Sequence, residues 1–423
     1  MTKIPLFLLD ARRMPGGCIE LPPKVGGNKS LCLRMLETVI HSCPACFMVV
    51  FSAQESTDPD WMRLWGAAAG RGLDRESAEI AAQCEAVERV CLISQGASDP
   101  RLSTLEALDK PPIEAKLLWK FSASQMHNHS ANMQSIARLG CGWRVDKRWL
   151  HGRHWLNGSS VALPATATLF HEERFLGLPP ILSSSSGAAV RDTPERAADH
   201  AVMELMERDG VAIWWYNKLV PARLSAARSA AALPQPLGTW LGERQRLIWH
   251  LALPSDLPVP TVVALSAVPD GTQPAIGAAA ALHIDDAITS ATLEMLQCEI
   301  ALTHMRQAQA ADDPPAPPPL LTWSDDTNAL TTAYLAGTAG DPVDADTDMG
   351  TLKRVLTERG IDIYIADLTL PAFGAPVVRA VSPQLRDWLP RFAPGRLYDV
   401  PVALGLRGSA MDEADLNPVP FVI

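Results

Sequence analysis

Two stretches of the chain, AEIAAQCEAVER (78–89) and AADHAVMELMER (197–208), carry alanine at the same two positions and end in the same E-x-x-E-R. At the helical period, Glu85, Glu88 and Arg89 fall on one stripe, and Glu204, Glu207 and Arg208 fall on its counterpart. Earlier turns of those stripes hold Ala78 and Ala82, or Ala197 and Ala201. A chain built this way needs two long helices whose polar stripes are floored by residues small enough for another element or a ligand to come close. The competing reading is a pair of solvated helix faces, each Glu–Arg pair at i,i+4 contributing about 0.2–0.5 kcal/mol. At ordinary residue frequencies one such pattern is expected roughly 0.1 times in a chain of this length, so two with matching alanines argue for a shared role. Four converging carboxylates repel one another unless cations lie between them. Mg2+ suits such a place, because it takes one or two carboxylates and completes its shell with water and phosphate oxygens. The two arginines then suit the phosphates.

Composition narrows the partners. The chain has 423 residues and a formal net charge of −10, with no basic run, which excludes nucleic acid as the main partner. No window of about 18 uninterrupted apolar residues occurs, so no membrane span is expected. The run IPLFLL (4–9) lacks a cleavage site and reads as a first strand rather than a signal peptide. Eight cysteines, several inside apolar stretches, fit reduced core thiols and a cytoplasmic location.

The element pattern is mixed. CFMVVFSA (46–53) reads as a buried strand, and Gly70 and Gly72 lead to Asp74, a suitable N-cap for a helix of about five turns. SSVALPATATLF (159–170) is expected to be a strand. Thr193 and Pro194 open the second helix as N-cap and first helical residue. A third begins near Asp285 or Asp286 and runs into DDPPAPPPL (312–320), an exposed loop. A helix at 348–360, strands within 361–370 and 376–383, and a Pro-containing tail at 416–423 follow. VGGNKS (25–30) lacks the upstream glycine and spacing of a phosphate loop, so any ATP site is of another kind.

At these residues the chain resembles the YcaO family, whose members bind ATP with two E-x-x-E-R helices and a third helix bearing E-x-x-Q. The resemblance rests on GRGLDRESAEIAAQCEAVER (70–89), SSGAAVRDTPERAADHAVMELMERD (185–209) and TLEMLQ (292–297). IADLTLPAFGAPVVRAVSP (365–383) and GRLYDVPVALG (395–405) extend it, so it covers about residues 60–423. The chain departs from the family pattern at Ala81, where Ser is usual, and at Ser186-Gly187, where an Asn-Gly turn is usual. Arg191 replaces a glycine and Arg196 an acidic residue.

The resemblance implies an α+β fold, with mixed sheets and helices and pseudo-repeated halves around a central ATP site. It implies an N-terminal segment at 1–60 packed on the core and an ATP-binding catalytic domain at 61–423 ending in the Pro-rich tail. Glu85, Glu88, Glu204 and Glu207 would hold Mg2+. Ser186, Arg89, Arg208, Glu294 and Gln297 would contact or shape the ATP site, with Arg89 and Arg208 as positioning groups and no residue marked as general base. The implied activity is a cyclodehydratase that makes thiazolines or oxazolines from Cys, Ser or Thr of a ribosomally made precursor peptide. LNPVPFVI (416–423) resembles the proline-rich tails of that branch, with Pro418 and Pro420 but no full P-x-P-x-P. The implied partners are a leader-bearing precursor, an E1-like leader-binding protein and a flavin-dependent azoline dehydrogenase, in a hetero-oligomeric complex. Two alternatives stand beside this reading: a thioamide-forming enzyme on the same scaffold, and a non-catalytic ATP-binding or scaffolding subunit.

Other patterns carry less. CPAC (43–46) has redox spacing but no second C-x-x-C, and reads as structural. HNH (127–129) and HGRH (151–154) read as ordinary loop histidines, and Trp214 and Trp215 as packing residues.

Overall fold

In the computed structural model, residues 13–14, 18–20, 32–38, 40–52, 68–128, 148–176, 184–310, 316–341, 347–371 and 373–421 are described. VGGNKS, the apolar run at 4–9 and residues 311–315 of the Pro-rich loop lie outside them. The first sheet is antiparallel, in the order β1 (Arg13–Met14), β2 (Cys18–Glu20), β3 (Cys32–Thr38), β4 (Cys46–Ser52) and β5 (Ala68–Gly72). The second begins with β6 (Leu102–Ser103), β7 (Trp149–His154), β8 (Ser160–Pro164) and β9 (Ala188–Val190). A third sheet is inserted next: β10 (Ala222–Arg223), β11 (Leu247–Ala252), β12 (Thr261–Ala267), β13 (Ala275–Ala280) and β14 (Thr338–Ala339), in the order β13-β12-β11-β10-β14. Then β15 (Tyr364–Asp367) and β16 (Val377–Val381) complete the second sheet as β6-β7-β15-β16-β9, with β8 on β7. The expected α+β mixture is what the chain adopts.

The three long helices share one placement. Helix α1 (Arg75–Leu92) follows edge strand β5. A short helix, α2 (Ala115–Trp119), comes next. Helix α3 (Pro194–Asn217) follows edge strand β9, and α4 (Ile284–Gln309) follows edge strand β13. Helices α5 (Met349–Glu358) and α6 (Arg396–Ala403) lie later.

Local chemistry explains these units. Asp74 caps α1 by accepting from the Ser77 amide at 2.8 Å, and Thr193 caps α3 by accepting from the Arg196 amide at 3.2 Å. The alanine floor is taken up by backbone rather than by ligand: a Cβ on Gly70 would sit 2.2 Å from Ala78 O and Ala82 N. On Gly277 of β13 it would sit 2.2 Å from Met295 N. Glycine in the strand and small residues in the helix therefore let each helix lie directly on its strand. On α3, Ala197 and Ala201 are fully buried in a cluster with Ala189 of β9 and Val378 and Ala380 of β16.

From Val211 to Tyr216, α3 is apolar on every side and joins the largest core, as expected for Trp214 and Trp215. Both indoles are satisfied, on Tyr334 O at 3.1 Å and Val419 O at 2.7 Å. One expectation fails. The strand foreseen over 159–170 ends at Pro164, and Ala165–Thr168 turns as a short helix in which Thr168 Oγ1 donates to Pro164 O at 2.9 Å. Tertiary setting overrides the β propensity of Thr166 and Thr168 there. His154 lies on β7 rather than in a loop, bonded to Asp362 at 3.0 Å. Cys43 and Cys46 are free thiols. Among the described residues, no helix is long and apolar enough to cross a membrane.

Candidate functional site

The glutamate pairs meet where the three strand–helix units converge. On α1, Glu85 Oε2 accepts from the Ala69 amide of β5 at 3.2 Å and Oε1 accepts from Arg89 at 2.9 Å. On α4, Glu294 Oε2 accepts from the Ala278 amide of β13 at 2.7 Å. In both units the strand amide stands 16 residues before the glutamate that accepts its hydrogen bond. Arg71, also on β5, joins the units: its guanidinium reaches Glu294 Oε1 and Gln297 Oε1, each at 3.2 Å. On α3, Arg208 pairs with Glu204 at 2.8 Å and with adjacent Glu207, while its guanidinium lies 3.3 Å from the centre of the Trp388 ring.

The carboxylates perturb one another across helices. Burial raises Glu88 well above the usual carboxylate range, and the charges of Glu204 and Glu85 push it further. Burial also raises Glu204, against the pull of Arg208 and with help from Asp387 and Glu294. Glu207 is pushed up to about 8, by burial first, then opposed by Arg208 and reinforced by Glu294 and Glu204. The side chains of Glu204, Glu207 and Arg208 are only 18%, 13% and 10% exposed, so this stripe of α3 is not a solvated face. Arg208 keeps its proton more firmly than a free guanidinium, because Glu207, Glu204 and Glu294 outweigh its burial.

Among the described residues, no three His, Cys, Asp or Glu side chains form a ready-made metal cage. The acids at this place offer carboxylate oxygens, and they repel one another. That set fits a hard divalent cation that brings phosphate oxygens and water to complete its shell. Glu85, Glu88, Glu204 and Glu207 are the carboxylates that could offer it oxygens.

The remaining sequence candidates divide. Gln297 is held by Arg71, and Arg89 is engaged with Glu85. Ser186 lies in the turn before β9, where Gly187 has φ +78°, and its buried Oγ has no hydrogen-bond partner. It lines a cavity of about 50 Å3 with Leu205, Arg379 and Asp387. Arg191 brings its charge near Glu88, whereas exposed Arg196 pairs with Asp192 at 2.5 Å. Three contributors went unread in the sequence: Arg71, Trp388 and Asp209. Asp209 takes the Arg396 guanidinium at 2.6 Å and so ties α3 to α6. Arg71 had one signal, its place between the two glycines that β5 needs.

The family model described as YcaO cyclodehydratase, ATP- and Mg2+-binding, matches residues 69–386. Among solved structures, a heterocyclase in complex with substrate and cofactor is 25% identical with a TM-score of 0.74, over 92% of this chain and 54% of that one. The heterocyclase TruD is 26% identical with a TM-score of 0.65, over 83% and 51%. The chain thus spans about half the length of those two heterocyclases. YcaO from Methanopyrus kandleri, bound with AMPPCP and Mg2+, shares the fold at 18% identity and a TM-score of 0.57, over 86% and 87%. A search of curated protein sequences returns no match. With its glutamate helices inside the matched region, the chain belongs to the YcaO family of ATP- and Mg2+-binding cyclodehydratases.

Proposed function

We propose that this chain is the ATP-dependent cyclodehydratase subunit of a peptide-modifying complex, forming thiazolines or oxazolines in a ribosomally made precursor. The carrying observation is the convergence of the three glutamate helices: the charge of Glu204 on α3 reaches Glu88 on α1, Glu294 of α4 reaches Glu204 and Glu207, and Arg71 holds α4 to β5. The titles of the two heterocyclases support the azoline branch. In the proposed reaction a Cys, Ser or Thr side chain attacks the preceding backbone carbonyl and closes the ring, the resulting oxygen is phosphorylated, and phosphate leaves as the amide nitrogen gives up its proton and the C=N bond of the azoline forms. Mg·ATP, when bound, supplies the phosphoryl group that turns this oxygen into a leaving group.

The chain's own share is positioning and charge stabilisation. Glu85, Glu88, Glu204 and Glu207 would hold the cation. Arg89 fixes Glu85, and Arg208, clamped on Trp388, fixes Glu204 and Glu207. Arg71 sets Glu294 and Gln297, while Ser186 brings an unpartnered hydroxyl from the turn before β9. An E1-like protein delivers the leader, and a flavin-dependent dehydrogenase can act on the azoline.

The test combines the chain with its precursor, an E1-like partner and Mg·ATP. The proposal expects loss of one water, about 18 mass units, per ring, with phosphate released in step. A gain of about 16 mass units by oxygen-to-sulfur exchange would replace the azoline reading with thioamide formation on the same amide-activation chemistry. Mg·ATP binding without any peptide change would leave a scaffolding subunit.

A further inference from the structure

We propose that Arg191 is a built-in counter-ion of Glu88, and that it limits the four glutamates to one divalent cation per bound nucleotide. This deepens the reading of those glutamates as the holders of Mg2+ and rests on it. The pairing of acids with arginines leaves one acid over. Arg89 holds Glu85 at 2.9 Å, and Arg208 holds Glu204 at 2.8 Å together with Glu207. Among the described residues, Glu88 makes no hydrogen bond or ion pair.

The fold brings Arg191 to that acid. Strand β9 packs Ala188 and Val190 into one cluster with Cys84 and Val87 of α1, and Arg191 is the next residue along. Cys84 and Glu88 are four residues apart on α1, so the helical period sets them on one face. The Arg191 amide donates to Pro376 O at 3.3 Å, which ties its backbone to the start of β16. In the side chain, Nη1 donates to Val190 O at 2.7 Å. Its other N–H groups have no partner among the described residues, and the adjacent acid, Asp192, is taken by Arg196 at 2.5 Å. The guanidinium's charge reaches Cys84, Glu88 and His200.

A fixed positive charge at this corner has two effects on metal loading. It offsets the repulsion that Glu204 and Glu85 exert on Glu88, a task that would otherwise fall to a metal ion. It also repels a second divalent cation, whereas a carboxylate with no cation beside it would attract one. Arg191 stands where the family pattern has glycine, so the device is this chain's own.

The experiment counts manganese. The full chain is mixed with an equimolar amount of a non-hydrolysable ATP analogue, and Mn2+ is titrated in while the free ion is followed by electron paramagnetic resonance. Uptake should end at about one Mn2+ per complex in the parent chain and at about two in Arg191→Ala. Arg191→Lys keeps the charge and should stay at about one. About two in the parent chain or in Arg191→Lys overturns the proposal, as do equal counts in the parent chain and Arg191→Ala. If Arg191→Ala does not fold, Arg191→Met takes its place. The parent chain alone gives a second reading: on logarithmic axes, analogue affinity should rise with free Mg2+ at a slope of about one, and a slope near two overturns the proposal. Equal counts in chains that still take up Mn2+ and analogue sink the role of Arg191 alone. No uptake in any of them sinks the metal-holding reading with it.

Discussion

Arg71 links units that the sequence places more than 200 residues apart, since its two bonds reach residues 223 and 226 positions along the chain. Its side chain is about a third exposed, so its effect is geometric: it fixes where α4 stands against β5. Arg71→Met should weaken Mg·ATP binding about ten-fold by titration while changing the melting temperature by only a few degrees. Arg71→Lys should recover little, because a single ammonium cannot serve Glu294 and Gln297 as a planar fork does. Glu85→Gln and Glu207→Gln should each cost at least about ten-fold in the same titration, and wild-type binding in both would remove the carboxylate model. The acids were legible because helical spacing alone puts them on one stripe. Trp388 and Asp209 were not, since a ring under a guanidinium and an acid on a distant arginine are tertiary facts with no local pattern.

At the scale of elements, the helices were readable from their caps: Asp74, Thr193 and Pro194 mark their starts as the structure has them. Strand β5 was harder. AAGRG looks like a turn by composition and becomes a strand because α1 lies too close for any side chain at Gly70. The third sheet is joined to α4 through His250 of β11, whose Nε2 is 2.8 Å from Thr292 Oγ1. Burial pushes His250 down to about 4 from an ordinary value of 6.5. The native state therefore keeps it neutral, and its contribution is whole above about 6.5 and lost as pH falls towards 4. Between pH 7 and pH 4 this one group should cost wild-type stability roughly 2–3 kcal/mol, set against the raised carboxylates Glu88, Glu204 and Glu207, which act in the opposite sense. Denaturant melts of His250→Gln at both pH values should lack that contribution; the same pH response as wild type would assign the acid sensitivity elsewhere.

At the scale of the whole molecule, the C-terminal segment closes the largest core and reaches the site. Phe421 packs at 5.0 Å on Trp215 and 5.5 Å on Trp388, the ring that carries Arg208. Phe421→Ala should cost about 3 kcal/mol by thermal or denaturant melting, and should loosen Arg208 enough to lower turnover more than Mg·ATP affinity. Unchanged turnover would confine this segment to packing. Each long helix hangs from the outermost strand of its own sheet, so three sheet borders come together around one pocket. A border strand with open amides invites a strand of another molecule to pair with it. Ala69 and Ala278 sit on two such borders, and their amides are occupied by Glu85 and Glu294. These acids thus also satisfy border amides of strands that α1 and α4 cover, so the groups that build the site close the hydrogen-bond account of two sheet edges as well.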